Sequence, residues 1–270
     1  MTRSKTSVLW LLAALVALVA VPASASAQPT ITLSGSTSVA PLATLLAQQY
    51  VKSCKGCVKF KLLQGGSDVG IADVSHDRVT IGMSSRDPKP SDPGGIVFNR
   101  IAKDAICLAT NKANPISNLD QDSVKAIFGG SVRSWSQVPG SKQNGTIDLF
   151  VRTAASGTQD AFQKIFMGST SVFSGASQKA SNGLVQQSIQ RDPAGIGYVS
   201  EAFTGGLNTA SYKGVPCTLR NAKSGQYGGV RSFYFVTRGN PTGAAKKWIS
   251  WIRRSPVALK IAAKEWVPFQ

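Results

Sequence analysis

Four apolar, β-branched runs in this chain each end in a small, hydroxyl-rich loop, and three of those loops lead into helix-forming segments. Ile31–Leu33 is followed by Ser34-Gly35-Ser36-Thr37-Ser38 and a helical pattern to about Tyr50. Val58–Leu63 is closed by Gln64-Gly65-Gly66-Ser67, with helix expected from about Val69. Val79–Gly82 ends at Ser84-Ser85-Arg86-Asp87. Thr146–Val151 (TIDLFV) runs through Arg152 into Ser156-Gly157-Thr158, and Gln159 to Lys164 suits a helix. Strand and helix signals that alternate in this way predict an α/β fold.

The fourth junction carries the most chemistry. The first turn of a helix has unpaired N–H groups, and the helix dipole adds partial positive charge there. A Ser-Gly-Thr turn lets an anion approach those groups closely, and its two hydroxyls add donors. Arg152 supplies a planar fork that matches two adjacent oxygens of an oxyanion. A plainer reading makes Ser156 or Thr158 an ordinary N-cap. Four converging loops of this kind suit a dehydrated oxyanion, which needs many neutral dipoles and limited full charge.

In order and spacing, six segments resemble the periplasmic phosphate-binding proteins of bacterial ABC transporters. They are SGSTSVAPL (Ser34–Leu42), QGGSDVGI (Gln64–Ile71), IGMSSR (Ile81–Arg86), KDAICLATNKANPISNL (Lys103–Leu119), VKAIFGGSVRSW (Val124–Trp135) and VRTAASGTQDAF (Val151–Phe162). The resemblance implies a two-lobed, type II periplasmic-binding-protein fold whose lobes are joined by two crossing strands. AICLAT (Ala105–Thr110) and SFYFVTR (Ser232–Arg238) are the candidate crossings. Lobe one would then comprise 28–109 and 232–270, and lobe two 110–231. Carried over to this chain, the phosphate ligands would be Thr37, Ser38, Ser67, Ser85, Arg86, Arg152, Ser156, Gly157 and Thr158. The family implies a monomer that serves an inner-membrane ABC permease without a cofactor. One departure bears on selectivity. Many members carry Asp in the third loop to accept the proton of hydrogen phosphate, and here that position is Ser85. Asp68 and Asp87 are candidate acceptors, and a site with no acceptor is the third option. A buried carboxylate would repel an oxyanion that has no proton to give.

Residues 1–27 read as a secretory leader: Arg3 and Lys5, then apolar Val8–Val21, then the cleavage signal Ala25-Ser26-Ala27. The apolar run falls short of the roughly 20 residues that a spanning helix needs. The mature protein is therefore expected to be periplasmic or secreted. The remaining chain is long enough for a substantial core or two lobes. In an exported chain, Cys54, Cys57, Cys107 and Cys217 point to disulfides, Cys54 with Cys57 and Cys107 with Cys217. A redox Cys-x-x-Cys is the rival, but no thioredoxin-like context surrounds it.

The formal net charge is +17. Such a field draws in small anions and also favours polyanions. Nucleic-acid binding would require exposed aromatics beside a basic stripe, yet Trp135, Trp248, Trp251 and Trp266 read as core or helix packing. No nucleic-acid partner is expected. The alternatives kept are another oxyanion, such as sulfate or molybdate, and a secreted polyanion binder. The single histidine, His76, lies in a turn-like Ser-His-Asp. There is no G-x-S-x-G elbow and no Walker loop, so no enzyme is expected. The C-terminal stretch 244–263 has Trp248, Ile252, Leu259 and Ala263 at helical spacing, with Pro256 expected to kink or break it.

Overall fold

The computed structural model describes residues 28–269, so the leader expected at 1–27 lies outside the described residues. The chain opens with β1 (Thr30–Gly35), α1 (Ala40–Ser53), β2 (Lys59–Leu62), α2 (Ser67–Ser75) and β3 (Ile81–Ser84), the alternation the sequence predicts. The long strand β4 (Ile96–Thr110) leads to β5 (Asn118–Leu119) and α3 (Gln121–Gly129). Then come β6 (Asp148–Arg152), α4 (Gly157–Phe162), β7 (Ser177–Lys179), α5 (Asn182–Arg191), β8 (Gly195–Ser200), β9 (Asn208–Tyr212) and α6 (Leu219–Ser224). The chain returns through β10 (Val230–Arg238) and closes with α7 (Gly243–Arg254), α8 (Pro256–Glu265) and β11 (Val267–Pro268).

Local sequence accounts for the helix ends. Pro41 lies in the first turn of α1, where its missing N–H costs nothing. Leu42, Ala43, Leu46, Ala47 and Tyr50 form the buried stripe of that helix. Asp120 caps α3 by accepting from the Ser123 N–H, and Gly130 ends it in the left-handed region. Pro256 does break the C-terminal helical stretch. The break resets the helical phase, so the second buried stripe is Ala258 and Ala262 instead of Leu259 and Ala263.

The strand order is β2-β1-β3-β10-β4-β8-β6-β7. β1 pairs in parallel with β2 and β3, and β6 in parallel with β7 and β8. β4 is antiparallel to both β10 and β8. Two cores follow. One gathers Leu33, Leu42, Ile81, Phe233, Phe235 and Trp248. The other gathers Leu108, Phe128, Trp135, Phe162, Tyr198 and Tyr227.

β4 links the two cores. Its residues 96–105 pair with β10, and Ile106 to Thr110 pair with β8. The strand begins at Ile96, well before the expected AICLAT; exposed Arg100 and Lys103 interrupt its buried residues Asn99, Ile101 and Ala102. That is the pattern of a half-buried strand, which an apolar-run search misses. The segment just before β10 packs on β4 at Ile106. The Ile106 N–H donates to the Gly229 carbonyl at 2.8 Å, and the Tyr227 hydroxyl to the Ile106 carbonyl at 2.7 Å. A Cβ at Gly229 would fall 2.6 Å from the Tyr227 ring, so only glycine lets the two segments approach this closely.

Both expected disulfides are present, Cys54–Cys57 and Cys107–Cys217. The second spans 110 residues and ties β4 to the segment before α6. Closing so long a loop restricts the unfolded chain most. Replacing Cys107 and Cys217 by Ala is expected to lower the unfolding free energy by about 4–5 kcal/mol, and replacing Cys54 and Cys57 by less than half of that. Denaturant unfolding of the two double variants checks the ranking.

Candidate functional site

The four hydroxyl-rich loops meet at one place between the two cores. Parallel strands deliver them, so the loops leave from carboxyl ends of strands, where open α/β sheets put their ligands. The Ser36 N–H donates to the Met83 carbonyl at 2.9 Å, which joins the first loop to β3. The Asp68 N–H donates to the Ala155 carbonyl at 3.1 Å, which joins α2 to the loop before α4.

Ser36, Thr37, Ser38, Ser67, Ser85 and Thr158 are all buried here. The Ser36 hydroxyl donates to Ser85 Oγ at 2.9 Å, and Ser67 Oγ lies 3.3 Å from Ser85 Oγ. Ser67 Oγ also accepts from the Ser85 N–H at 3.0 Å. Ser38 Oγ and Thr158 Oγ1 meet at 3.0 Å, bringing α1 and α4 together. Asn182 closes another side: its Nδ2 donates to Ser38 Oγ at 2.8 Å and to Thr37 Oγ1 at 3.1 Å. A Cβ on Gly157 would fall 2.3 Å from Ser67 Oγ and 2.8 Å from Ser85 Oγ. The start of α4 therefore touches the second and third loops, and only glycine fits.

Two guanidinium groups border this cluster, and both are buried. Arg152 Nε donates to the Lys179 carbonyl, its Nη2 to the Ala180 carbonyl at 2.9 Å, and its Nη1 to Thr158 Oγ1 at 3.4 Å. None of these partners is an acid. Burial pushes Arg152 down to about 10, and the nearby positive charge of Arg231 adds to the fall. Arg231 does have a counter-ion, Asp104, at 2.8 Å. The Ser200 hydroxyl donates to both Asp104 carboxylate oxygens at 2.9 Å. Burial pushes Asp104 up and Arg231 down, and each offsets the other's desolvation. Two buried guanidiniums against one buried carboxylate leave one positive charge without a partner. Such a junction can hold an anion, because a buried charge is costly until it is paired.

The expected residues do not all arrive in the expected roles. The side chains of Thr37, Ser38, Ser67, Ser85 and Thr158 enter the cluster, and Arg152 borders it. Ser156 caps α4, its Oγ accepting from the Thr158 and Gln159 N–H groups. The Arg86 guanidinium is not brought to the cluster. It pairs with Asp92 at 2.5 Å and Asp68 at 2.7 Å and also donates to the Asp87 carbonyl. Burial works against its charge, but these acids hold it charged. Only the Arg86 main-chain N–H faces Gly157.

Neither proposed proton acceptor reaches the cluster. Asp68 is taken up by Arg86, and Asp87 pairs with Lys164 and accepts from the Tyr234 hydroxyl. Sequence reasoning missed Arg231, Asp104 and Asn182. The available signals were an arginine immediately before SFYFVTR and an acid inside an apolar strand.

The sheet order and the polar junction between two cores define a two-lobed binding protein of the periplasmic type. The family model described as a PBP superfamily domain matches residues 20–255, and the chain belongs to that superfamily. It is 26% identical over 244 residues to the phosphate-binding protein PstS of Bacillus subtilis, covering 88% of this chain and 80% of the relative. A phosphate-bound putative phosphate ABC transporter substrate-binding protein from Clostridium perfringens superposes with a TM-score of 0.83 at 28% identity, covering 89% of this chain and all of that one. An ABC-type phosphate transport receptor from Vibrio cholerae shares the fold, with a TM-score of 0.70 at 24% identity over 88% of this chain and 99% of that one.

Gly157→Ala would place a methyl against Ser67 and Ser85. The variant is expected to melt below wild type, because Ser67, Ser85 or the Arg86 main chain must shift, and to lose at least about tenfold in affinity for any anion held here. Calorimetric titration paired with thermal unfolding separates the two effects.

Proposed function

We propose that this chain is an extracytoplasmic solute-binding protein that captures inorganic phosphate between its lobes and hands it to an ABC permease in the inner membrane. The observation that carries this reading is Arg152, a guanidinium buried without an acid partner and donating to Thr158 beside the clustered hydroxyls. The phosphate named for the Bacillus and Clostridium relatives agrees with it. The ligand set we propose is Thr37, Ser38, Ser67, Ser85, Arg152, Gly157 and Thr158, with Ser156 holding the start of α4 and Arg86 contributing its main-chain N–H. The lobes are 28–109 with 232–270, and 110–231, and the protein acts as a secreted monomer after removal of a leader near Ala27.

Binding works as a population shift. Loops on the two cores each contribute donors, so the anion makes its full set of contacts only when the lobes are together. The role is capture and release, not catalysis. His76 sits at the exposed end of α2, with Nδ1 2.8 Å from the Ala72 carbonyl. A polyanion-binding role is disfavoured by the aromatics. Trp135, Trp248 and Trp266 are buried, and Trp251 packs on Tyr50 5.2 Å away.

Calorimetric titration of the mature protein with phosphate and then sulfate tests the reading. Phosphate is expected to bind tightly at one site per chain; a preference of about a hundredfold over sulfate would require a proton acceptor, and neither Asp68 nor Asp87 supplies one to the cluster. Equal affinities would move the assignment to tetrahedral oxyanions in general, and no binding of either ion would overturn it. Arg152→Ala is expected to weaken phosphate binding by at least about a hundredfold. Arg152 binds an anion only while protonated, and its affinity for protons is already lowered. Phosphate affinity should therefore hold to about pH 9 and fall as pH rises through about 10.

A further inference from the structure

At the point where the chain crosses between its cores, Arg231 on β10 lies directly opposite Asp104 on β4. The Arg231 guanidinium has two sides. Its Nε and Nη2 donate to Asp104 Oδ2 at 3.1 and 2.8 Å. On the other side, Nη2 donates to Ser38 Oγ at 2.8 Å and Nη1 to Ser85 Oγ at 3.4 Å. The hydroxyls it reaches therefore belong to the first and third loops, inside the cluster that Arg152 borders through Thr158. Arg231 also lines a cavity of about 330 Å³ with Arg86, Lys103, Lys164, Asp87 and Asp160.

The structure assigns Arg231 to the oxyanion site as a second guanidinium ligand, reaching the anion at Ser38 and Ser85 and held in place by Asp104 across the strand crossing. The assignment rests on the phosphate reading above and deepens it. A tetrahedral oxyanion would then be gripped by Arg152 from the core containing β6 and by Arg231 from the crossing strand. Asp104 lies behind Arg231, where its charge balances one guanidinium without facing the ligand. The pair also links to the distal loops. Ser200 donates to Asp104 through its hydroxyl and to Asn182 Oδ1 through its N–H at 3.0 Å, and Asn182 holds Thr37 and Ser38. A chain of hydrogen bonds thus joins Asp104 to Thr37 and Ser38.

Removing Arg231 alone would strand Asp104 unpaired in the interior, so a loss of binding in Arg231→Gln by itself would not separate ligation from folding. The double variant Arg231→Gln with Asp104→Asn removes both charges, and Arg231→Lys keeps the ion pair but loses the fork. Phosphate affinity by calorimetry and melting temperature without ligand are measured for all of these and for wild type. The expected result is a double variant that melts near wild type and binds phosphate at least about a hundredfold more weakly, and a Lys variant weaker by about tenfold. Binding within about threefold of wild type in either the double or the Lys variant would overturn the assignment. A wild type that fails to bind phosphate would instead overturn the phosphate reading, and this assignment with it.

Discussion

The arrangement depends on one unbalanced charge. A guanidinium removed from water loses hydration worth many kcal/mol, and carbonyl dipoles replace only part of it. Arg152 has two carbonyls and a threonine hydroxyl, and no carboxylate. Every loop that closes over it therefore adds dipoles without adding negative charge. The cost is tolerable if the place is designed to be completed by an anion. Seen this way, the hydroxyl cluster is the neutral part of a binding site whose charge arrives with the ligand.

The same imbalance explains why the lobes would move. Ser38–Thr158, Asp68–Ala155 and Asn182–Thr37 contacts join the two cores directly, each a hydrogen bond worth only about 1 kcal/mol net. Against them stand the repulsion between Arg152 and Arg231 and the desolvation of both. A few weak bonds opposed by a like-charge pair give a balance that one anion can tip, which is what a capture device needs. The strands at Ile106 and Gly229 are, by contrast, tightly packed and carry the Cys107–Cys217 link close by.

Much of the fold was legible in the sequence, because apolar β-branched runs, glycine-rich loops and proline breaks are local signals. The junction at Arg152 to Thr158 was legible for the same reason: strand, loop and helix start are contiguous there. Arg231 and Asp104 were not, since their meeting depends on the antiparallel register of β4 and β10, whose partners lie 127 residues apart. Nor could the sequence say which way the Arg86 side chain points. Ser85-Arg86 looks like a donor pair, but alternate residues leaving a strand face opposite sides, and Asp92 and Asp68 wait on the far one.

That outward turn has its own consequence. Asp92 accepts from two Arg86 nitrogens and from the Lys89 N–H, and Arg86 also holds Asp68 at the start of α2. Burial opposes the Asp92 charge, but these donors pull it below its ordinary value. The third loop is thus clamped by a charged knot on its outer side, while its inner side presents only Ser85 and a main-chain N–H. Full charges do the rigid scaffolding where they are balanced among themselves. Neutral groups line the inner surface, where a fixed acid would compete with the incoming anion. The separation leaves Arg152 as the charge that the ligand must answer.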